Sequence, residues 1–312
     1  MKNITIVSPT YNEEQVISKF LDEVLRVISS IDNYNFDIII IDNASIDKTQ
    51  EILRNYAKKF KNIKLIFNVK NFGHIRSPYW GVIQTNSDAV IYLVSDMQEP
   101  PRLIPEFIKS WEDGFNIVYG VKNSSKKDGF IISLCRKLFY FLISSISTSN
   151  LVSNATGFGL YDKKIIEIVK KINDPYPYFR GFVAEIGYPI KQIKYTQEAR
   201  KYGKSKNNFY TLYDIAILGI TSHSSIPLRI CSFMGLIIGL ISFLFGLYYL
   251  VYKLLFWDAF SMGLAPLLIF ILFLFGALFF FLGIFGEYIL SILRYVNKKP
   301  IVIEKERINF DK

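Results

Sequence analysis

Residues 230–252 and 264–286 contain no charged side chain. Each run would form a helix about 35 Å long, enough to cross a hydrocarbon core about 30 Å thick. A helix buried in a soluble protein rarely stays apolar on every face over that length. Two transmembrane helices joined by a short loop are therefore expected, and the remainder of the chain must fold outside the bilayer. Arg229 precedes the first run and Arg294, Lys298 and Lys299 follow the second, while the connecting loop holds only Lys253 and Asp258. This bias places both termini in the cytoplasm. The apolar run nearest Met1, residues 4–7, has the size of a strand, so no signal peptide is expected and the N-terminal domain stays on the cytoplasmic side of a membrane crossed twice.

The net charge of +10 suits an anionic partner. With two spans present, lipid headgroups and phosphates fit that charge better than nucleic acid. Cys135 and Cys231 do not have the spacing of a disulfide framework or a zinc site. Neither His74 nor His223 has a Cys or His neighbour at ligand spacing.

Ahead of the spans, strand-like runs at 4–8, 36–41, 64–67, 89–95 and 116–120 alternate with helical patterns. Asn12 suits an N-cap with Glu13 and Glu14 in the first helical turn, and Val16, Ile17, Phe20, Leu21, Val24 and Ile28 recur at helical spacing behind them. Asp47 and Thr49 open a second helix with Ile52, Leu53, Tyr56 and Phe60 on its buried face. Such alternation predicts an α/β fold built on a doubly wound parallel sheet. No G-x-G-x-x-G follows the first strand and no Walker A lysine loop occurs, which disfavours nicotinamide, flavin and P-loop chemistry.

The run 89–94, AVIYLV, is short, unbroken and rich in β-branched residues, as a central strand covered on both faces would be. Ser95, Asp96, Gln98 and Glu99 follow it, and Pro100-Pro101 then ends strand pairing. Open α/β sheets place ligands at the carboxyl ends of their strands. Asp96 suits a magnesium or manganese ligand that presents a nucleotide diphosphate; taken alone it suits a solvated loop acid equally well.

The segments SPTYNEE (8–14), DNASIDKT (42–49), NFG (71–73), SDMQEPP (95–101), RKYGKSK (200–206) and GEY (286–288) occur in the order and spacing of glycosyltransferase family 2. The chain resembles most closely the polyprenyl-phosphate sugar transferases of that family, over nearly its whole length. The resemblance implies a GT-A catalytic domain at 1–207, a juxtamembrane amphipathic helix at 208–228, a two-helix membrane hairpin at 229–289 and a cytoplasmic tail at 290–312. It implies that Pro9, Tyr11 and Glu13 wall the nucleoside pocket, that Asp42 accepts from the base, and that Ser95, Asp96 and Gln98 meet the nucleotide sugar. Asp96 and Gln98 match the family's ligands for Mg²⁺ or Mn²⁺. Lys122 matches an arginine that meets the acceptor phosphate, and relatives suggest a homotetramer.

From Lys122 the chain turns basic. A helix expected at about 130–145 has an apolar face and carries Arg136 and Lys137, which suits either the membrane surface or ordinary core packing. On the surface, Lys122 and Arg136 would meet the phosphate of an acceptor lipid. In RKYGKSK, Gly203 lets the chain turn closely around a ligand, while Arg200, Ser205 and Lys206 supply donors to the pyrophosphate and the acceptor phosphate.

Four places depart from the family: Glu99 stands for its next acid, DNAS (42–45) stands where DDGS or NDGS is common, and two more bear on the chemistry. Val94 replaces a common Asp, and Gly157 stands where an acid, often named as catalytic base, is usual. A hydroxyl nucleophile needs a base. A lipid phosphate, with a second pKa of about 6, is already largely anionic at neutral pH. The expected function is thus inverting transfer of a sugar, preferably from a UDP-sugar, to polyprenyl phosphate. The alternatives are transfer to a hydroxyl of a lipid-linked saccharide, with Glu185 as replacement acid, or a degenerate nucleotide-sugar-binding membrane scaffold.

Overall fold

The computed structural model describes residues 1–123, 155–172, 179, 183, 185–197, 226–256, 264–297 and 299–310. The expected helix at 130–145 lies outside these residues, as does 208–225 of the juxtamembrane helix expected at 208–228; residues 226–228 open the long helix Ile226–Leu255 instead. The chain divides into two units, Met1–Asp214 with Asn297–Lys312, and Ile215–Val296.

The first unit is built on the uncharged interior of its early strands. β1 (Lys2–Thr10) and β2 (Tyr34–Asp42) pair in parallel, with Ile6 opposite Ile38 and Ser8 opposite Ile40. Side chains alternate across a strand, so β2 serves two cores at once. Ile38 and Ile40 face a layer made by α1 (Ile17–Ile28), α2 (Thr49–Lys59) and α4 (Ile104–Glu112), through Phe20, Leu21, Leu53 and Phe107. Ile39 and Ile41 face α3 (Gly73–Ile83) and α5 (Lys163–Ile172), through Tyr79, Val82, Ile165 and Val169. Burial on both faces explains why β2 tolerates four consecutive isoleucines.

With β3 (Ile63–Asn68), β4 (Ala89–Tyr92), β5 (Ile117–Lys122), β6 (Ala155–Asp162), β7 (Ile190–Tyr195) and β8 (Glu304–Ile308), the sheet has eight strands in the order β7-β5-β6-β4-β1-β2-β3-β8. Most of the sheet is parallel, as the alternating pattern predicts. β6 runs against both β4 and β5, and β8 runs against β3.

One local expectation is corrected, and two strands appear that the sequence did not announce. Helix α1 begins at Ile17, with Val16 at its N-cap, not at Asn12. Asn12 has φ of 54° and Glu13 and Glu14 precede the first turn, because all three are tied to the loop after β2, as described below. β6 lacks a strand signal because it contains Gly157 and Gly159, and glycine weakens a strand. Gly159 is required there: a Cβ would stand 2.1 Å from the Val118 carbonyl oxygen. Gly159→Ala is expected to destabilise the unit by about 1–3 kcal/mol, measured as a lower thermal midpoint; an unchanged midpoint would contradict this packing.

The second unannounced strand, β8, lies in the tail. Glu304–Ile308 extends the sheet, with Leu65 opposite Ile308 and Phe67 opposite Glu306. Arg54 grips Glu306 through two parallel bonds of 2.9 and 2.5 Å. Asn309 Nδ2 donates to the carbonyls of Ala57 and Ile63, both at 2.8 Å, and Trp80 Nε1 donates to Glu304. Alternating charges along β8 hid it from a search for apolar runs; the same charges suit an edge strand.

The second unit contains α6 (Ile226–Leu255) and α7 (Leu264–Val296), of 30 and 33 residues. Among the described residues, Leu274–Leu293 has the length and hydropathy to cross a membrane. Phe279, Leu282, Ile289 and Leu293 on it are exposed, as are Phe233, Leu236, Leu240 and Leu244 on α6. At Gly283 and Gly286 of α7 a Cβ would meet nothing within 4 Å.

Candidate active site

The order of strands changes direction at β1: β2 and β3 lie on one side and β4 on the other. The carboxyl ends of β1 and β4 meet there, in the position where open α/β sheets bind ligands. Ser95, just beyond β4, donates through Oγ to the Pro9 carbonyl at 3.0 Å and ties the two ends together.

The loop after Ser95 folds back on Asp96. Met97 has φ of 60°, and this turn brings the Gln98 N–H to Asp96 Oδ1 at 3.1 Å. Gln98 Nε2 donates to Asp96 Oδ2 at 2.8 Å. Asp96 is half-buried. Gln98 Oε1 in turn accepts from Gln197 Nε2 at 2.7 Å, and Gln197 Oε1 accepts from Lys122 Nζ in a long contact of 3.5 Å.

Glu99 lies beneath this array, 3% exposed. Its Oε2 accepts from the Val94 N–H at 3.0 Å and its Oε1 from Thr156 Oγ1 at 2.6 Å. Burial pushes its carboxyl up from an ordinary 4.5 to about 7. The negative charge of Asp96 adds to this, while the two hydrogen bonds and the positive Lys122 oppose it. Thr156 precedes Gly157, which is buried with φ of 94° and gives its carbonyl to the Tyr161 hydroxyl. Glu185 is exposed.

A second wall is made by two loops bound to each other. The Asn12 N–H donates to Ser45 Oγ at 2.8 Å and the Ile46 N–H to Asn12 Oδ1 at 2.9 Å. The Glu13 N–H donates to Thr49 Oγ1 at 2.9 Å, the Glu14 N–H to Asp47 Oδ2 at 3.2 Å, and the Lys48 N–H to Glu14 Oε2 at 3.0 Å. These exchanges hold Tyr11 and Glu13 at the end of β1 and stand where a helix cap was expected.

Asp42 ends β2 and is fully buried. Its Oδ2 accepts from the Ser45 N–H at 3.0 Å and from Gln50 Nε2 at 2.7 Å. Its Oδ1 is buried with no hydrogen-bond partner among the described residues. Burial raises the carboxyl above the usual aspartate range, against the bonds from Ser45 and Gln50 and with a contribution from the charge of Asp47.

The structure links Asp96, Gln98 and Lys122 into one network through Gln197 and ties Ser95 to Pro9 beside it, with Tyr11, Glu13 and Asp42 at the same carboxyl edge of the sheet. Arg136, Arg200, Ser205 and Lys206 lie outside the described residues. Thr156, Gln50 and Gln197 were not singled out by sequence, and Glu99, noted there after Gln98, was given no role in the site. Glu99 carried a signal, an acid between the loop motif and Pro100; Gln197 carried none, since it lies 75 residues from Lys122 and 99 from Gln98.

The donor set fits a hard divalent cation. Asp96 supplies a carboxylate. Gln98 turns its NH₂ to Asp96 and its Oε1 to Gln197, so its amide oxygen would reach an ion only once the amide turns over. An ion such as Mg²⁺ keeps waters and substrate phosphates for its other positions. Among the described residues no group of three or more His, Cys, Asp or Glu is arranged to hold a metal by itself. Both oxygens of Glu99 are engaged with Val94 and Thr156, which leaves Asp96 as the carboxylate that faces the site.

A GT-A-like α/β domain with its polar side chains at the β1–β4 junction is the framework of a nucleotide-sugar enzyme, and the family comparison agrees. The model described as Glycosyl transferase family 2 matches residues 5–169, a stretch that contains every residue of the network except Gln197. The chain belongs to this family and is a glycosyltransferase that acts with nucleotide sugars. It is similar to the SfII prophage-derived bactoprenol glucosyl transferase of Shigella flexneri, with 31% identity over 303 residues, 97% of each chain. The uncharacterized glycosyltransferase YkcC of Bacillus subtilis strain 168 is 28% identical over 299 residues, 96% of this chain and 92% of its own. Among solved structures, the mannosyltransferase PcManGT from Pyrobaculum calidifontis in complex with GDP-Man and Mn²⁺ overlays 72% of this chain and 64% of its own, at TM-score 0.46 and 15% identity.

Proposed function

We propose that the protein transfers a sugar from a UDP-sugar to polyprenyl phosphate, with inversion, at the cytoplasmic face of a membrane. The observation that carries this is the line from Asp96 through Gln98 and Gln197 to Lys122, beside a β6 that has glycine where a base would stand. Mg²⁺ or Mn²⁺, held by Asp96 and Gln98, would stabilise the charge that develops on the leaving diphosphate. Lys122 draws the acceptor phosphate toward the sugar and screens the repulsion between two anionic substrates. Arg200 and Lys206 serve the same end by their place in RKYGKSK, with Arg136 and Ser205 as further donors to the acceptor phosphate. An acceptor that arrives ionised needs no proton removed, so neither Gly157 nor the exposed Glu185 has to act as base. Relatives named as bactoprenol glucosyl transferases support a polyprenyl phosphate as acceptor.

The uridine preference has support from Asp42. Its Oδ2 is taken by Ser45 and Gln50, so a single oxygen, Oδ1, is left to accept from a base. Uracil presents one imide N–H, whereas guanine presents two adjacent donors that would ask for both oxygens.

The hairpin has support from β8. A crossing by α7 alone would leave β8 across the bilayer from β3, the strand with which it pairs. Two crossings, by α6 and α7, return the chain to the side it left. Tags at the two termini are expected on the same, cytoplasmic face, both cut by protease in inverted vesicles; tags on opposite faces would refute the hairpin.

The reaction itself is tested with purified protein, Mg²⁺ or Mn²⁺, a short-chain polyprenyl phosphate and a panel of radiolabelled UDP- and GDP-sugars. Label is expected in the lipid from one UDP-sugar. Transfer to a lipid-linked saccharide but not to the phosphate would overturn the acceptor, and transfer from a GDP-sugar alone would overturn the base assignment.

A further inference from the structure

Ile46 is 88% exposed, more than any other large apolar side chain among the described residues. Its loop is not loose. Ser45, before it, takes the Asn12 N–H on Oγ and the Gln50 amide on its carbonyl, and the Ile46 N–H donates to Asn12 Oδ1 at 2.9 Å. Asp47, after it, accepts the N–H groups of Glu14 and Thr49. A loop held from both sides cannot fold its isoleucine inward, so the exposure belongs to the fold.

Two more apolar side chains stand beside it. Asp42 pairs with Phe67 in the β2–β3 register, and just beyond them Asn68 Nδ2 donates to Asn43 Oδ1 at 3.1 Å. Val69 follows, 48% exposed, and its N–H donates to the Ile303 carbonyl at 3.1 Å. Ile303 is 50% exposed, although Ile301 and Val302 before it are buried. Neighbouring strands lie about 5 Å apart. The three side chains therefore line the carboxyl ends of β2 and β3 and the start of β8, on the other side of β1 from the Asp96 loop.

Lys48, Lys70 and Lys299, close to the three in sequence, are exposed. Among the described residues none of these lysines is in an ion pair. The exposed acids of the same segments are Glu14, whose Oε2 holds the Lys48 N–H, and Glu51. A protein interface favours aromatic and arginine anchors and excludes lysine from its centre. Aliphatic side chains rimmed by lysine suit an anionic lipid surface instead, where the former enter the headgroup layer and the latter meet its phosphates. Ile303 also lies seven positions after Val296, where α7 ends.

We propose that the ends of β2, β3 and β8 form a lipid-docking face, with Ile46, Val69 and Ile303 among the headgroups and the three lysines on anionic phosphates. The face is separate from the donor and acceptor residues and rests on the reading that the protein works on a membrane lipid.

The test uses the full-length protein in vesicles of phosphatidylethanolamine and phosphatidylglycerol. With Cys135 and Cys231 replaced by alanine, Ile46→Cys and, before the start of β3 at the opposite edge of the sheet, Lys61→Cys each carry one bimane label. Brominated acyl chains are expected to quench the label at position 46 and spare that at 61, and aqueous iodide to do the reverse. Quenching at 46 by iodide alone would overturn the docking face. Shielding from both quenchers would overturn it too, since it marks a protein contact. Ile46→Asp is expected to raise the KM for polyprenyl phosphate in vesicles about 10-fold, the scale on which burial of an isoleucine moves an equilibrium. Its kcat, and its KM for farnesyl phosphate in detergent, should match the wild type; equal losses with both acceptors would count against docking. Quenching needs no turnover, so a label at 46 that meets lipid in a protein inactive on polyprenyl phosphate would keep the docking face and overturn the acceptor alone.

Discussion

Asp96→Asn is expected to lower sugar transfer by about 10²–10³-fold, the usual result of removing one group that stabilises a developing charge. The substitution keeps the shape of the side chain. Its hydrogen-bond partners in the structure are both on Gln98, in the same exposed-edge loop, so the core is untouched. The remaining Oδ1 still accepts the Gln98 N–H, and the left-handed turn at Met97 is a backbone property. What disappears is the negative charge that a divalent cation needs. The protein should therefore fractionate with membranes and melt as the wild type does, while label transfer to polyprenyl phosphate collapses at every Mn²⁺ concentration. Wild-type turnover in this variant would remove Asp96 from the site.

Glu99→Gln is expected to change how stability depends on pH. In the folded chain burial raises the Glu99 carboxyl from an ordinary 4.5 to about 7. Between these values the folded state holds a proton that the unfolded state has lost, so stability falls as pH rises. Across the whole window the loss amounts to about 3 kcal/mol, at about 1.4 kcal/mol for each pH unit. Glutamine has no proton to release. Its oxygen can accept the Val94 N–H and its NH₂ can donate to the Thr156 hydroxyl, so both bonds of the carboxyl are reproduced. Metal-free wild type should lose thermal stability from pH 4.5 to 8 relative to the variant, and the two curves should meet at the acid end. Parallel curves would show that Glu99 ionises as freely in the fold as in the unfolded chain.

What could be read from sequence followed burial. β2, β4 and the inner face of α1 are legible because each must be apolar along a whole run or at helical spacing, and no other arrangement hides Ile38–Ile41 or Phe20 and Leu21. β6 and β8 were not legible, for opposite reasons. β6 needs Gly159 where a side chain would strike Val118, and β8 sits at an edge where charge is tolerated on both faces. The site divides in the same way. Ser95, Asp96 and Gln98 are visible from their place after a buried strand, whereas Gln197 and Thr156 enter only when β7 and β6 are folded beside them. Asn12 shows how one local pattern serves two ends: the residue types of a helix cap bind a neighbouring loop instead.

The strand that closes the sheet is made after the other seven. Arg54 waits for Glu306, 252 positions further on, while α6 and α7 are made between them. Until then β3 has a bare flank, an invitation to adhere to other nascent chains. Completion of the enzyme's outer edge is thereby linked to synthesis of β8, so a product terminated before Glu304 is left with an unfinished sheet.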